Sequence, residues 1–79
     1  MIQLSQIKIP VIRVIERAGE ETVRRGIIGE QERHLVAQTV AGALHLGVRQ
    51  IRKLEIVRRS LDARKKSQIQ FIYQVRFRT

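Results

Sequence analysis

The residues best suited to chemistry in this chain are a cluster of basic side chains in its C-terminal third. Residues 49–79 carry ten Lys or Arg against two Asp or Glu, whereas residues 1–48 carry six against five. The 79-residue chain therefore owes nearly all of its net charge of +9 to that third. Concentrated cations can hold phosphate or carboxylate groups, so we predict an anion-binding or docking surface there. We assign that surface to Arg58, Arg59, Asp62, Arg64, Lys65 and Lys66.

The remaining polar residues form no pattern typical of an enzyme or cofactor site. A two-histidine zinc helix needs its second ligand four residues after the first, and that position after His34 holds Gln38. His45 lies much further along, Cys is absent, and neither a Gly-rich dinucleotide fingerprint nor a P-loop occurs. Residues 26–29 match the Gly-x-x-Gly of KH domains, but their apolar middle residues favour a simple turn. We therefore predict no catalytic, cofactor-binding or metal-binding residue in this chain.

Nucleic acid or another polyanion is the alternative partner for the basic surface. The cations would bind phosphates with the salt dependence that counterion release produces. However, Phe71, Tyr73 and Phe77 lie on one face of the last predicted strand, and its arginines lie on the other. Aromatic side chains are thus not available beside the charges for base stacking. A docking or anion-holding surface is favoured over a free-standing module that binds RNA.

The spacing of apolar residues predicts the elements that position these side chains, beginning with a strand. Residues 2–9 alternate between apolar and polar with one change of phase, which predicts a bulge near Ser5-Gln6. Pro10 limits this strand or places it at a sheet edge. We interpret the β-branched run Val11–Ile15 as an extension of the strand and residues 16–29 as turns.

A helix follows over about residues 30–46, where apolar side chains recur at three- and four-residue spacing. Glu30 and Glu32 lie in its first turn, where carboxylates suit the helix dipole. Gly47 is predicted to be its left-handed C-cap. Gly42 in its interior would be tolerated best where the helix backbone lies against a sheet.

The C-terminal third is predicted to form two strands joined by a hairpin. The first covers Arg49–Leu61, and the second is an alternating segment with Ile69, Phe71, Tyr73, Val75 and Phe77 on its apolar face. We therefore predict a single α+β domain over residues 1–79: a two-layer sandwich of one main helix on a largely antiparallel three-stranded sheet, in β-α-β-β order.

The length and charge also limit the partners and the cellular location that we expect for the protein. A domain this small buries a modest share of its surface, so a linked neighbour domain or a homo-oligomer would help to stabilise it. The longest run free of Asp, Glu, Lys and Arg, Leu35–Val48, is too short and too polar to span a bilayer. We expect no membrane partner and a cytoplasmic location.

The hairpin resembles a known family of proteins. Residues 58–66, Arg-Arg-Ser-Leu-Asp-Ala-Arg-Lys-Lys, and residues 69–75, Ile-Gln-Phe-Ile-Tyr-Gln-Val, are similar to the N-terminal region of the uncharacterised FAD-dependent (NAD(FAD)-utilising) dehydrogenases. The resemblance is specific over residues 54–77, and it implies that this region precedes a flavin-binding domain with its own Gly-rich fingerprint. It therefore implies FAD as the cofactor of the full-length protein and the downstream domain as an intramolecular partner.

Under this resemblance the chain is a non-catalytic N-terminal accessory domain of a larger flavoprotein. The flavin-binding and catalytic residues of the family have no counterparts here, so none is assigned to this sequence. The hairpin would dock on the flavoprotein body or hold an anionic ligand, and Asp62 would accept bonds from the backbone N–H of Arg64 or Lys65. Such a turn would aim the basic side chains outward.

Overall fold

The computed structural model describes residues 1–65 and 67–79 and has two layers. The elements, in chain order, are β1 (Ile2–Pro10), α1 (Val11–Ala18), α2 (Glu20–Arg24), α3 (Glu30–Leu44), a 3-10 turn (Val48–Gln50), β2 (Arg52–Asp62) and β3 (Gln70–Arg78). The strands form one antiparallel sheet in the order β1-β3-β2. This confirms the predicted α+β sandwich, with three helices where the sequence predicted one.

The hydrophobic core lies between the helices and one face of the sheet. Alternate residues of the central strand β3 are buried there, as predicted. Helix α3 adds Leu35, Val36 and Val40, and Ile9 and Val14 complete the cluster from β1 and α1. The burial of every core residue on one side leaves the opposite face of the sheet uncovered, and we call it the open face.

Helix α1 corrects the predicted extension of the first strand. Pro10 ends β1, and the next residue leaves the sheet after donating its backbone N–H to the carbonyl of Ile69 at 3.0 Å. Val14 is fully buried, and Val11 and Ile15 are partly buried. Spacings of three and four residues are those of a helix, so packing overrides the strand propensity of these β-branched residues. Helix α2 likewise occupies part of the segment predicted as turns.

Helix α3 confirms the predicted main helix. The roles predicted for Gly42 and Gly47 are both wrong. The left-handed C-cap is His45, with φ of 57°, and the N–H of Leu46 donates to the carbonyl of Ala41 at 2.9 Å, as in a Schellman ending. Gly47 has an ordinary negative φ. Gly42 does not lie against the sheet, because a Cβ built there would contact nothing within 4 Å.

Bulges interrupt both outer strands. The predicted bulge in β1 is confirmed: pairing with β3 shifts between Leu4 and Ile7, and Gln6 has φ of 63°. Strand β2, which begins three residues later than predicted because of the 3-10 turn, shifts twice against β3, between Arg52 and Glu55 and between Ile56 and Arg58. Each shift reverses which residues of the strand face the core.

Among the described residues, no helix combines the length and the apolar character needed to cross a membrane.

Candidate anion-binding site at the hairpin

Residues of the predicted basic surface are divided between the turn that joins β2 to β3 and the open face of the sheet. Arg58 and Asp62 pair with Gln74 and Gln70 of β3 and belong to the open face. Arg64 and Lys65 lie in the turn itself, and both are exposed. Lys66, the last residue of the predicted set, lies outside the described residues.

Asp62 and Arg64 organise this turn. The backbone N–H of Arg64 donates to Asp62 Oδ1 at 3.2 Å, which is the predicted Asx-type bond. The Arg64 guanidinium also folds back, donating from Nε to Oδ1 and from Nη2 to Oδ2, each at 3.1 Å. These bonds from Arg64 lower the pKa of the Asp62 carboxyl from its ordinary value. The carboxylate thus holds Arg64 at the turn instead of letting it extend outward.

A polar pocket of about 270 Å³ opens beside this turn. Its lining residues are Lys8, Asp62, Arg64, Lys65, Gln68 and Gln70. In the described part of the chain Asp62 is engaged by Arg64, whereas Lys8 and Lys65 have no carboxylate partner. Three cations against one carboxylate, together with two side-chain amides, provide charge-assisted donors for a phosphate or carboxylate group. We call this cavity the hairpin pocket; Lys8 joins it because β1 lies beside β3.

Arg59 is separate from this surface and faces the helices. It pairs with Tyr73, whose side chain is in the core. The reason is the bulge at Val57: the alternation reverses there, so Arg58 faces outward and Arg59 faces inward. Its guanidinium carbon lies 4.5 Å from the centroid of the Phe71 ring, within cation–π range. Arg59 therefore does not contribute to the exposed surface predicted for it.

The partner of Arg59 is Glu32, a carboxylate with no exposed surface. Arg59 Nη1 donates to Glu32 Oε1 at 3.0 Å and to Oε2 at 2.9 Å. The Tyr73 hydroxyl donates to Oε2 at 2.7 Å. Burial, and then the bond to Glu32, raise the pKa of the Tyr73 phenol far above its ordinary range. We call Glu32, Arg59 and Tyr73 the buried cluster, and it ties α3 to β2 and β3.

The buried cluster suits a structural role better than a chemical one. Glu32 and Tyr73 have no exposed surface, so a substrate has no access to the carboxylate or the phenol. In the described residues, no buried side-chain nitrogen or oxygen lacks a hydrogen-bond partner. The sequence pattern predicts Glu32 only as a carboxylate in the first turn of the helix. The available signal was its position three and four residues before Leu35 and Val36, on the apolar stripe of the helix.

Further cations lie on the open face away from the hairpin. Arg58 and Arg78 have no carboxylate partner in the described structure, whereas Arg76 donates to Glu55 at 2.7 Å. Successive outward residues of β3 lie roughly 6.8 Å apart, as expected for every second residue of a strand. The open face therefore carries positive charge along most of its length.

The other residues considered for chemistry lie apart from one another. His34 and His45 are exposed on α3 and at its C-cap, and residues 26–29 form the loop between α2 and α3. Over residues 1–65 and 67–79, no group of three or more His, Cys, Asp or Glu could hold a metal ion.

Curated proteins and solved structures gave no match to the chain. Among protein families, residues 1–78 match the Domain of unknown function (DUF8436). Because this match covers nearly the full length, the chain belongs to the DUF8436 family.

Proposed function

We propose that this chain is a non-catalytic accessory domain of an FAD-dependent oxidoreductase, and that its hairpin pocket holds an anionic group of the flavoprotein body. The observation that carries the proposal is the hairpin pocket, where Lys8 and Lys65 have no carboxylate partner among the described residues and lie beside the Asp62–Arg64 turn. Apart from Lys8, the lining residues of the pocket lie within residues 54–77, the part of the chain that resembles the flavoprotein family. A cytoplasmic location is part of this proposal.

The arrangement of the pocket supports docking in particular. The Arg64 side chain donates two hydrogen bonds to Asp62, which restrain the guanidinium and reduce the side-chain entropy that is lost when an anion approaches. Lys8 and Lys65 come from different segments and converge on one cavity. A carboxylate or phosphate seated there would accept charge-assisted hydrogen bonds from cations of both segments.

The test uses the natural reading frame, cloned through whatever follows Thr79, and the protein it encodes. We expect a protein that copurifies with FAD, seen by flavin absorbance, in which trypsin cuts the hairpin slowly. The variant Lys8→Gln removes a cation of the hairpin pocket but leaves every trypsin site in the hairpin intact. If docking depends on this cation, trypsin should cut the hairpin of the variant several-fold faster than that of the wild type. Arg13→Gln, an exposed cation of α1 that does not line the pocket, is the matched control and should leave the rate unchanged.

Two results would contradict this proposal. One is a natural protein without a flavin-binding domain. The other is a flavoprotein whose hairpin is cut equally fast in the wild type, Lys8→Gln and Arg13→Gln.

A polyanion-binding module is the second candidate, favoured by Arg58 and Arg78 of the open face, which have no carboxylate partner within residues 1–65 and 67–79. Fluorescence anisotropy with a labelled single-stranded oligouridylate, at about 50 mM and 200 mM salt, measures this activity. The double variant Arg58→Gln/Arg78→Gln should bind more weakly and lower the salt slope by about 1.4, which is roughly 0.7 for each phosphate contact on a single strand. Arg13→Gln/Arg17→Gln removes the same charge from α1 and should have a smaller effect. Absence of binding at the lower salt would exclude this candidate.

A further inference from the structure

An apolar groove adjoins the hairpin pocket and has no role in the function proposed above. It lies between α1 and the segment that enters β3, and its volume is about 550 Å³. Pro10, Val11, Ile12, Ile15 and Ile69 supply its apolar lining. Ile12 is 61% exposed and Ile69 is 43% exposed, so large aliphatic side chains stand open to water on both sides of the groove. A concave, mainly apolar cavity of this volume is typical of a binding site.

The groove and the hairpin pocket share a wall. Gln68 and Gln70 line both cavities, one of them apolar and the other cationic. A ligand that spans this wall would place an apolar group beside Ile12 and an anionic group beside Lys8 or Lys65. The site therefore has complementary chemistry at its two ends.

We propose that the groove and the hairpin pocket together bind a peptide segment in which an aliphatic side chain lies next to Asp or Glu. This inference rests on the proposed function, because it assigns the segment to the flavoprotein body. The cations of the hairpin pocket favour a carboxylate by charge complementarity. The exposed isoleucines of the groove favour an aliphatic side chain next to that carboxylate in the peptide. The occupant is thus a short acidic and apolar stretch of polypeptide.

The glutamines favour a peptide over a lipid that carries an anionic head group. Their amides stand between the apolar and cationic ends, where they can bond to the N–H and C=O groups of a peptide backbone. An acyl chain crossing the same wall would offer those amides no partner, and a polar group that loses water without gaining a hydrogen bond weakens binding.

Amide NMR spectra of the isotope-labelled 79-residue chain provide the test, with three synthetic peptides as probes. One carries leucines beside glutamates, the second has serine for each leucine, and the third has glutamine for each glutamate. We expect the first to shift signals of both cavities and to bind best. The second should shift hairpin signals only, and the third should bind weakest because it brings no charge to the pocket.

Matched variants separate the two ends of the site. Ile12→Ser should weaken binding of the leucine–glutamate peptide by about fivefold or more, since burial of an aliphatic side chain strengthens binding. It should leave the serine–glutamate peptide unaffected. Ile27→Ser, at an exposed isoleucine outside the groove, is the control and should change neither affinity.

The outcomes distinguish this inference from the proposed function. The peptide inference is wrong if the leucine and serine peptides bind with the same affinity, or if Ile12→Ser has no effect. The accessory role is then still decided by the flavin and proteolysis experiment. If the acidic peptides bind normally and the natural protein contains no flavin-binding domain, the proposed function fails and the peptide partner belongs to another protein.

Discussion

Replacing Glu32 by alanine is expected to lower the free energy of unfolding by ~3–5 kcal/mol. The substitution leaves the Arg59 guanidinium, only 13% exposed, without the carboxylate that accepts two of its hydrogen bonds. It also removes the acceptor of the buried Tyr73 hydroxyl. Domains of this size are at the low end of the stability range, so we expect Glu32→Ala to be largely unfolded at room temperature. Urea denaturation followed by circular dichroism measures the effect.

The control for this prediction is another carboxylate in the same helical turn. Glu30 pairs with Arg33 at 2.7 Å, but its side chain is 85% exposed. Glu30→Ala should therefore cost less than about 1 kcal/mol.

If Glu32→Ala does not fold, a triple variant keeps the prediction testable. Glu32→Leu/Arg59→Met/Tyr73→Phe replaces the whole buried cluster by apolar side chains, and it should recover most of the lost stability. A Glu32→Ala protein as stable as Glu30→Ala would contradict the role assigned to the cluster.

Alkaline unfolding should be coupled to the ionisation of Tyr73. Burial and the bond to Glu32 raise the pKa of this phenol above its ordinary value of 10.0 in the folded protein. The stabilising contribution is therefore fully present below pH 10 and is lost as the pH rises, by about 1.4 kcal/mol for each unit. Because Tyr73 is the only tyrosine and Trp is absent, ultraviolet absorbance reports its phenolate directly. We expect that absorbance to appear only as the helical circular dichroism disappears.

Tyr73→Phe is the matched variant for the alkaline experiment. It keeps the ring in the core and removes the ionising hydroxyl. The variant should be somewhat less stable than the wild type at neutral pH, but it should lose less stability as the pH rises above 10. A wild-type phenolate that forms with an ordinary midpoint while the circular dichroism stays native would show that Tyr73 is accessible and would overturn the prediction.

Much of the sheet could be predicted because β3 follows a simple rule. Its core-facing side chains alternate with polar ones over the whole strand, so the buried face could be assigned residue by residue. The bulge at Ser5-Gln6 was predictable for the same reason, since a change of phase leaves a visible break in the pattern. Helix α3 could be placed from its apolar spacing.

The errors arose where local preference and tertiary packing disagree. Val11–Ile15 has the residue types of a strand, but Pro10 ends the sheet pairing and Val14 of α1 is buried in the core. The bulge at Val57 could not be predicted for another reason. The residues around it are apolar and basic on both faces of the strand, so the sequence shows no clear alternation that a bulge would interrupt. That bulge decides the orientation of Arg59, so the sequence pattern could not separate Arg59 from Arg58.

The candidate site was predictable in its charge but not in its construction. The turn at Asp62 follows from a local preference of Asp, so its bond to the Arg64 backbone could be anticipated. Lys8 could not be assigned to the same pocket, because its position depends on the pairing of β1 with β3. Glu32 was missed since a carboxylate in a first helical turn is ordinarily explained by the helix dipole.

The bulges of the two outer strands also bear on how copies of this protein meet at high concentration. β1 and β2 are both edges of the sheet, and a regular edge can pair with the edge of another molecule and extend into a fibril. Here Gln6 and Lys53 have positive φ and the spacing of free N–H and C=O groups is broken on each side. A second chain would find no continuous ladder to join. The bulge at Val57 that turns Arg59 inward is one of these irregularities, so it also disfavours aggregation through the edge of β2.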